Sequence, residues 1–284
     1  MDAPQLTCEP NQLDFEQRAQ RRKIHHVCPI DPKGMCLSFP FLLCSVLLTG
    51  CANPINDATY ANYMASGRLA ESKGNLATAE EDYTRAYINT EAGLLGKEKA
   101  FMSLQARGHV EQLLGEESEA EELLSRAEVL GDSALAEANG TGAKPEDLSR
   151  LTYNVALLKR DLCKMNESDA LLKKALSLEE SIRPEVPPNI SKRVCELGNN
   201  LYEQGQFDEA EHLLARCIEI AEHLGFDRAA PTQVAFVMRE RQEALIQLGR
   251  TEDAAVMKTS FDHLMAAAGP LSTAVSPWRH NICP

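Results

Sequence analysis

Ala79, Tyr83 and Ala86 stand at i, i+4 and i+7, a spacing that puts all three on one face of a helix. The same small/large/small triad returns as Ala120/Leu124/Ala127, Ser168/Leu172/Ala175 and Ala210/Leu214/Cys217, with lead residues 41, 48 and 42 positions apart. A weaker fifth copy leads with Ala254, 44 positions further on. Self-similarity at roughly 40 residues marks stacked helical hairpins, because one such unit cannot bury its apolar face alone and several in a row can. The predicted fold class is all-α, a right-handed solenoid of stacked antiparallel helix hairpins. A chain of this kind is built to hold other molecules rather than to transform one.

The composition suits that architecture. Aromatic residues are only 5% of the 284, and helix pairs that pack through Ala and Leu need few large rings. The formal net charge is −13 at pH 7, which argues against binding nucleic acid or adhering electrostatically to anionic lipid. The plain reading of the charge is a solvated outer face.

The first 50 residues are a separate subject. Leu37 to Thr49 reads LSFPFLLCSVLLT and carries no charge. As a helix these residues would rise about 20 Å, short of the ~30 Å hydrocarbon core of a bilayer. That length fits the apolar region of a signal peptide better than a span. Leu48-Thr49-Gly50-Cys51 follows directly, and it resembles the lipobox of bacterial lipoproteins. The resemblance implies cleavage before Cys51 and attachment of diacylglycerol to its sulfur. Two or more acyl chains would hold the protein stably, at about 0.8 kcal/mol per buried methylene. Residues 1–50 are thus expected to be leader and signal peptide, and residues 51–57 a lipidated tether. Six residues, Ala52 to Asp57, reach at most ~20 Å, which would keep the first hairpin close to the bilayer. Ala52 after the cysteine, in place of Asp, points to the outer membrane, facing the periplasm.

The leader is longer than a usual signal peptide. Arg18, Arg21, Arg22 and Lys23 are basic, but Lys33 is the one basic residue close to the apolar run. The expected start of translation therefore lies between Arg22 and Lys33, with residues 1 to about 26 dispensable. His25, His26 and Cys28 crowd together without a fourth ligand, which is weak evidence for a metal. No cofactor or metal is expected.

The fourth copy of the repeat is the cleanest. Leu197-Gly198, Leu201 and Tyr202 fall on a first helix, Gly205 at its end, Phe207 at the turn, and Ala210, Leu214 and Cys217 on one face of a second helix. This resembles the tetratricopeptide repeat, in the longer form found in kinesin light chains. The first copy carries Tyr63, Gly67, Ala70 and Gly74 before its triad, and the second Leu104, Gly108 and Gly115. The third has Cys163 where the turn glycine is expected and Ser168 where Ala leads. The fifth keeps Leu248-Gly249-Arg250, but Arg241 falls on an apolar position, as suits a terminal capping unit. The repeats are expected over residues 58–267, and 268–284 as a C-terminal tail. Asn139 to Gly142 with Pro145, the Pro184 to Pro188 stretch and Pro231 are expected to break helix between units, the Gly140 region as an inserted loop.

The sequence shows no phosphate-cradling glycine loop, no nucleophile elbow and no paired His at ligand spacing. His212 and His223 would lie about 16 Å apart along a helix. The predicted protein is not an enzyme. Cys163, Cys195, Cys217 and Cys283 could form two disulfides in an oxidising compartment, in any of three pairings. The competing and preferred reading makes Cys163 and Cys217 small packing residues. The tail holds the only Trp, Trp278, either frayed or folded back to cap the last hairpin or fill the groove.

The tetratricopeptide resemblance implies a groove lined by positions 2, 5, 9 and 12 of each first helix. In the third and fourth units these are Arg150, Tyr153, Leu157, Arg160, Lys192, Cys195, Asn199 and Tyr202. With Arg239 of the fifth, Arg150, Arg160 and Lys192 would make a basic, exposed strip suited to an acidic peptide or a free C-terminus. The plain alternative is ordinary solvated helix surface. Three functions follow in order: a membrane-anchored adaptor in assembly of a pilus, secretion or polysaccharide-export complex; an outer-membrane scaffold that recruits cell-wall hydrolases; and, last, an enzyme.

Overall fold

The computed structural model describes residues 54–182 and 188–268. The lipobox Leu48–Cys51, the His25/His26/Cys28 group, most of the Pro184–Pro188 linker and the tail with Trp278 lie outside the described residues. The described residues form α1 (Pro54–Ser72), α2 (Leu76–Gly93), α3 (Lys97–Leu114), α4 (Glu117–Thr141), α5 (Pro145–Asp161), α6 (Met165–Ile182), α7 (Pro188–Glu203), α8 (Phe207–His223), α9 (Phe226–Ala229), α10 (Pro231–Gln247) and α11 (Thr251–Ala268). Helices α1/α2, α3/α4, α5/α6, α7/α8 and α10/α11 pair as five A/B hairpins, and each hairpin packs on the next. The fold is an all-helical, tetratricopeptide-like solenoid. None of the described helices is long and apolar enough to cross a membrane.

The triads hold each hairpin together. Their lead residues Ala79, Ala120, Ser168, Ala210 and Ala254 are all buried against helix A. Helix A answers with a small residue opposite. A Cβ on Gly67 would lie 2.6 Å from the Tyr83 ring, and one on Gly198 would lie 3.0 Å from Leu214. The third hairpin solves the same contact with polarity: Ser168 donates its hydroxyl proton to the Ala156 carbonyl at 2.8 Å. In the first four triads the large residue, Tyr83, Leu124, Leu172 or Leu214, is buried, which for Leu172 or Leu214 is worth roughly 1.5–3 kcal/mol.

The A-to-B turns show how far the repeat tolerates substitution. Gly205 adopts φ 73°, and the amides of Gly205 and Gln206 reach back to the carbonyls of Tyr202 and Leu201 at 2.9 Å each. Cys163 makes the same turn at φ 59°, with its amide 2.8 Å from the Arg160 carbonyl and that of Lys164 2.9 Å from Lys159. A residue with a Cβ in that region costs about 1–2 kcal/mol, a strain that the glycine at the A-to-B turn of the other hairpins avoids.

One expectation about the turns is corrected. The Gly140 region is no loop: α4 runs through it for 25 residues and ends only at Gly142, φ 67°. The long interval between the second and third units is absorbed as extra helical length, because a single helical glycine costs only about 1 kcal/mol. In the fifth hairpin, Arg241 donates from Nε and Nη2 to Glu211 Oε1, at 2.9 and 2.8 Å.

Candidate protein-binding face

The A helices of successive hairpins lie side by side and touch through their polar side chains. Lys99 of α3 bonds Asp57 of α1, and Arg150 of α5 bonds Glu98 of α3. Asn154 meets the Met102 sulfur at 3.6 Å, and Gln105 donates to Asp161 at 2.7 Å. This row is the face that the tetratricopeptide resemblance makes the inner one, and every predicted groove residue falls on α5, α7 or α10.

Arg150 is exposed and shares itself between Glu98 and Asp147, the latter at 3.2 Å. Tyr153 is half-buried, with its hydroxyl 3.5 Å from Glu196 and the Arg193 guanidinium 5.1 Å above its ring. Lys192 and Arg239 are exposed, and Arg239 stacks on Phe236 at 4.9 Å. Tyr202 donates its hydroxyl proton to Glu243 and meets the Phe207 ring edge-on at 5.8 Å. Asn199 is buried, and its amide, oriented to satisfy both ends, donates to Glu240 and to the Cys195 carbonyl at 3.2 Å.

Arg160 departs from expectation. It is not an exposed member of a basic strip but a buried cation, 2.5 Å from the equally buried Glu196. Burial alone would lower its pKa, yet the carboxylates of Glu196, Asp161 and Glu203 outweigh that and raise it. The strip itself is not uniformly basic, for Glu196, Glu203, Glu240 and Glu243 stand among the cations. Burial, reinforced by Glu203 and Glu196 and opposed by Arg239 and Arg160, pushes the Glu240 carboxyl up to about 8. Arg160, Glu196 and Glu240 therefore form a buried polar seam joining α5, α7 and α10, flanked by exposed Arg150, Lys192 and Arg239.

Sequence reasoning missed the carboxylates, although a signal was present. Glu196 and Glu240 are 44 residues apart, the same interval that separates the lead residues of the fourth and fifth triads. They occupy one repeat position, each next to a predicted lining residue, Cys195 and Arg239.

The cysteine reading is also corrected. Cys217 is no mere packing residue: it is bonded to Cys195, which ties α8 to the inner-face helix α7. Cys163 is disulfide-bonded as well. Among the described residues, no group of three or more His, Cys, Asp or Glu is placed to hold a metal ion.

No family model and no curated protein matches the chain. Solved structures do. BtubC (BKLC) from P. vanneervenii aligns over 80% of this chain and 87% of its own, with TM-score 0.57 and 16% identity. A Podosopora anserina putative kinesin light chain with nearly identical TPR-like repeats aligns over 78% of this chain and 100% of its own, at TM-score 0.50 and 16% identity. Aspartyl phosphate phosphatase F from Bacillus subtilis aligns over 76% of this chain and 53% of its own, at TM-score 0.52 and 11% identity. At these identities the likeness establishes the fold alone: a TPR-like helical repeat solenoid.

Proposed function

We propose that the chain is a non-catalytic scaffold of a bacterial envelope, tethered through lipid on Cys51, that binds a protein segment along the inner face of its last three hairpins. The observation that carries the binding reading is the polar row across α5, α7 and α10, where exposed Arg150, Lys192 and Arg239 flank a carboxylate-rich seam. A solenoid offers such a row to an extended segment because each hairpin adds one helix to the same surface. The mixed charge favours a segment with acidic groups to meet Lys192 and Arg239 and a cationic group to meet Glu203 and Glu243. It replaces the purely acidic peptide expected from the cations alone. The Leu48–Cys51 lipobox supports the envelope assignment, and so does the Cys195–Cys217 bond, since such bonds persist in oxidising compartments.

Two measurements test the reading. Metabolic labelling with a palmitate analogue should mark the protein and not Cys51→Ala; label retained by the variant removes the anchor. Charge reversal of exposed Lys192 and Arg239 together should lower co-purification of the partner several-fold with the melting temperature unchanged. Arg160 is excluded from that variant because its reversal would bury a carboxylate against Glu196. Undiminished recovery from the double variant would remove the inner face as the binding surface.

A further inference from the structure

The inner face of the last three hairpins changes character along its helices. Exposed Arg150 and Lys192 lie in the first two turns of α5 and α7, and exposed Arg239 lies at the middle of α10. Toward the A-to-B turns the face becomes apolar. Tyr202 is next to last in α7, and Ile246 is next to last in α10. They are 44 residues apart, the interval between Ala210 and Ala254, so they hold one repeat position on neighbouring hairpins. In the third hairpin that position belongs to Arg160, which is paired with Glu196.

The apolar end is exposed and held in shape. Among the described residues of the last three hairpins, the exposed large hydrophobic side chains are Ile246, at 48%, and Val256. Val256 is on the B helix α11, which leaves Ile246 as the one on the A-helix row. Tyr202 is half-buried, its hydroxyl donating to Glu243 and its ring meeting Phe207 edge-on at 5.8 Å. A ring fixed in this way has little rotamer freedom left to lose on binding.

We propose that the segment bound on this face is an amphipathic helix of a partner protein, laid across α5, α7 and α10, with an acidic flank on Arg150, Lys192 and Arg239 and an apolar flank on Tyr202 and Ile246. This rests on the inner face being the binding surface, as argued above.

The two rows are one helix apart. Lys192 and Tyr202 are ten residues apart on α7, about 15 Å along its axis, and Arg239 and Ile246 are seven apart on α10, about 10 Å. A helix with its side chains is about 10–12 Å across. The spacing within a row also favours a helix over a strand. Adjacent A helices bond side chain to side chain, as Tyr202 does to Glu243, which sets their axes about 10 Å apart. A helix returns a side chain to the same flank after seven residues, at about 10.5 Å. A strand does so after two or four residues, at about 6.8 or 13.6 Å, and its side chains fall between Tyr202 and Ile246.

The charges select the flanks. On a molecule of net charge −13, three exposed cations in one strip call for carboxylates. Arg150 already meets Glu98 and Asp147, so the acidic flank is held chiefly by Lys192 and Arg239. Glu203 and Glu243 stand beside Tyr202 and Ile246 in the sequence pattern of α7 and α10, so Lys or Arg next to the apolar residues completes the match. A helix turned the other way would set its carboxylates against Glu203 and Glu243, which fixes one orientation.

A synthetic helix tests this. The probe is an alanine-based peptide of about 21 residues, long enough to form helix, with Glu every seventh residue on one flank and Leu with neighbouring Lys every seventh on the other. Its control is an isomer of the same composition in which Glu and Leu share flanks. Fluorescence anisotropy of fluorescein-labelled peptides reads binding to the mature protein. The patterned peptide should bind about tenfold more tightly than the isomer. Ile246→Ser, which removes the apolar contact without changing charge, should abolish that advantage and leave the melting temperature unchanged. Lys192→Glu/Arg239→Glu should weaken both peptides. Equal binding of the two, binding by neither, or an advantage that survives Ile246→Ser overturns the amphipathic helix and leaves the inner face standing as the binding surface. Binding of the patterned peptide undiminished in Lys192→Glu/Arg239→Glu overturns the inner face as well.

Discussion

The inner faces of the first two hairpins and of the last three are built from the same element, one A helix per repeat, and they differ in where their ion pairs sit. Lys99–Asp57, joining the first two hairpins, is 34% and 49% exposed, whereas Arg160–Glu196, joining the third and fourth, is 8% and 5%. Water screens the first pair, so it contributes about 0–1 kcal/mol and leaves the A helices free to adjust. The second has shed its water, so its attraction must offset a desolvation cost of several kcal/mol. What it secures is register: α5, α7 and α10 have one arrangement in which Arg160, Glu196, Asn199 and Glu240 all find partners. The same helical scaffold thus has a compliant end and a committed end, and the committed end carries the proposed binding face.

The largest effect should come from Arg160→Ala, which strands Glu196 and costs about 3–5 kcal/mol in chemical denaturation. Arg160→Met with Glu196→Leu should recover most of it, and failure to recover would mean that the pair itself, not its desolvation, supplies the stability. Next is the disulfide of the committed end. With its cysteines 22 positions apart, Cys195→Ser/Cys217→Ser should lose about 3 kcal/mol by the loop-entropy argument.

A smaller effect is carried by Glu240. Its carboxyl ionises near 4.5 in an unfolded chain and near 8 in the fold, through burial first and then Glu203 and Glu196. Between those values the folded state holds more protons, so stability falls as pH rises through that window. Glu240→Gln should flatten that slope and raise the melting temperature at pH 8; an unchanged profile would put the proton elsewhere. The smallest effect belongs to the compliant end. Lys99→Ala should change stability by no more than about 1 kcal/mol, and a loss equal to that of Arg160→Ala would erase the contrast.

The repeat itself was legible in the sequence, because Ala79/Tyr83/Ala86 and its copies record a contact made within each hairpin. Gly205 and Pro231 were legible for the same reason, since a turn and a helix start depend on their own residues. The burial of Arg160 was not, because it is set by a helix from the next hairpin, 36 residues away. The burial of Glu196 and Glu240 was hidden for the same reason, since it too depends on neighbouring helices. Gly140 misled in the other direction: packing of α4 overrode a local propensity. The Cys195–Cys217 pairing could not be chosen from three possibilities until α7 and α8 were placed together.

The central claim, that the inner face of the last three hairpins is the working surface, is tested most directly by photo-crosslinking in cells. A crosslinking amino acid at Lys192 or Arg239, exposed on the A helices, is compared with one at Val129 or Val256, exposed on the B helices. The account predicts discrete protein adducts from the two inner positions and none from the two outer ones. Adducts of equal yield from both sets, or from Val129 and Val256 alone, would contradict it.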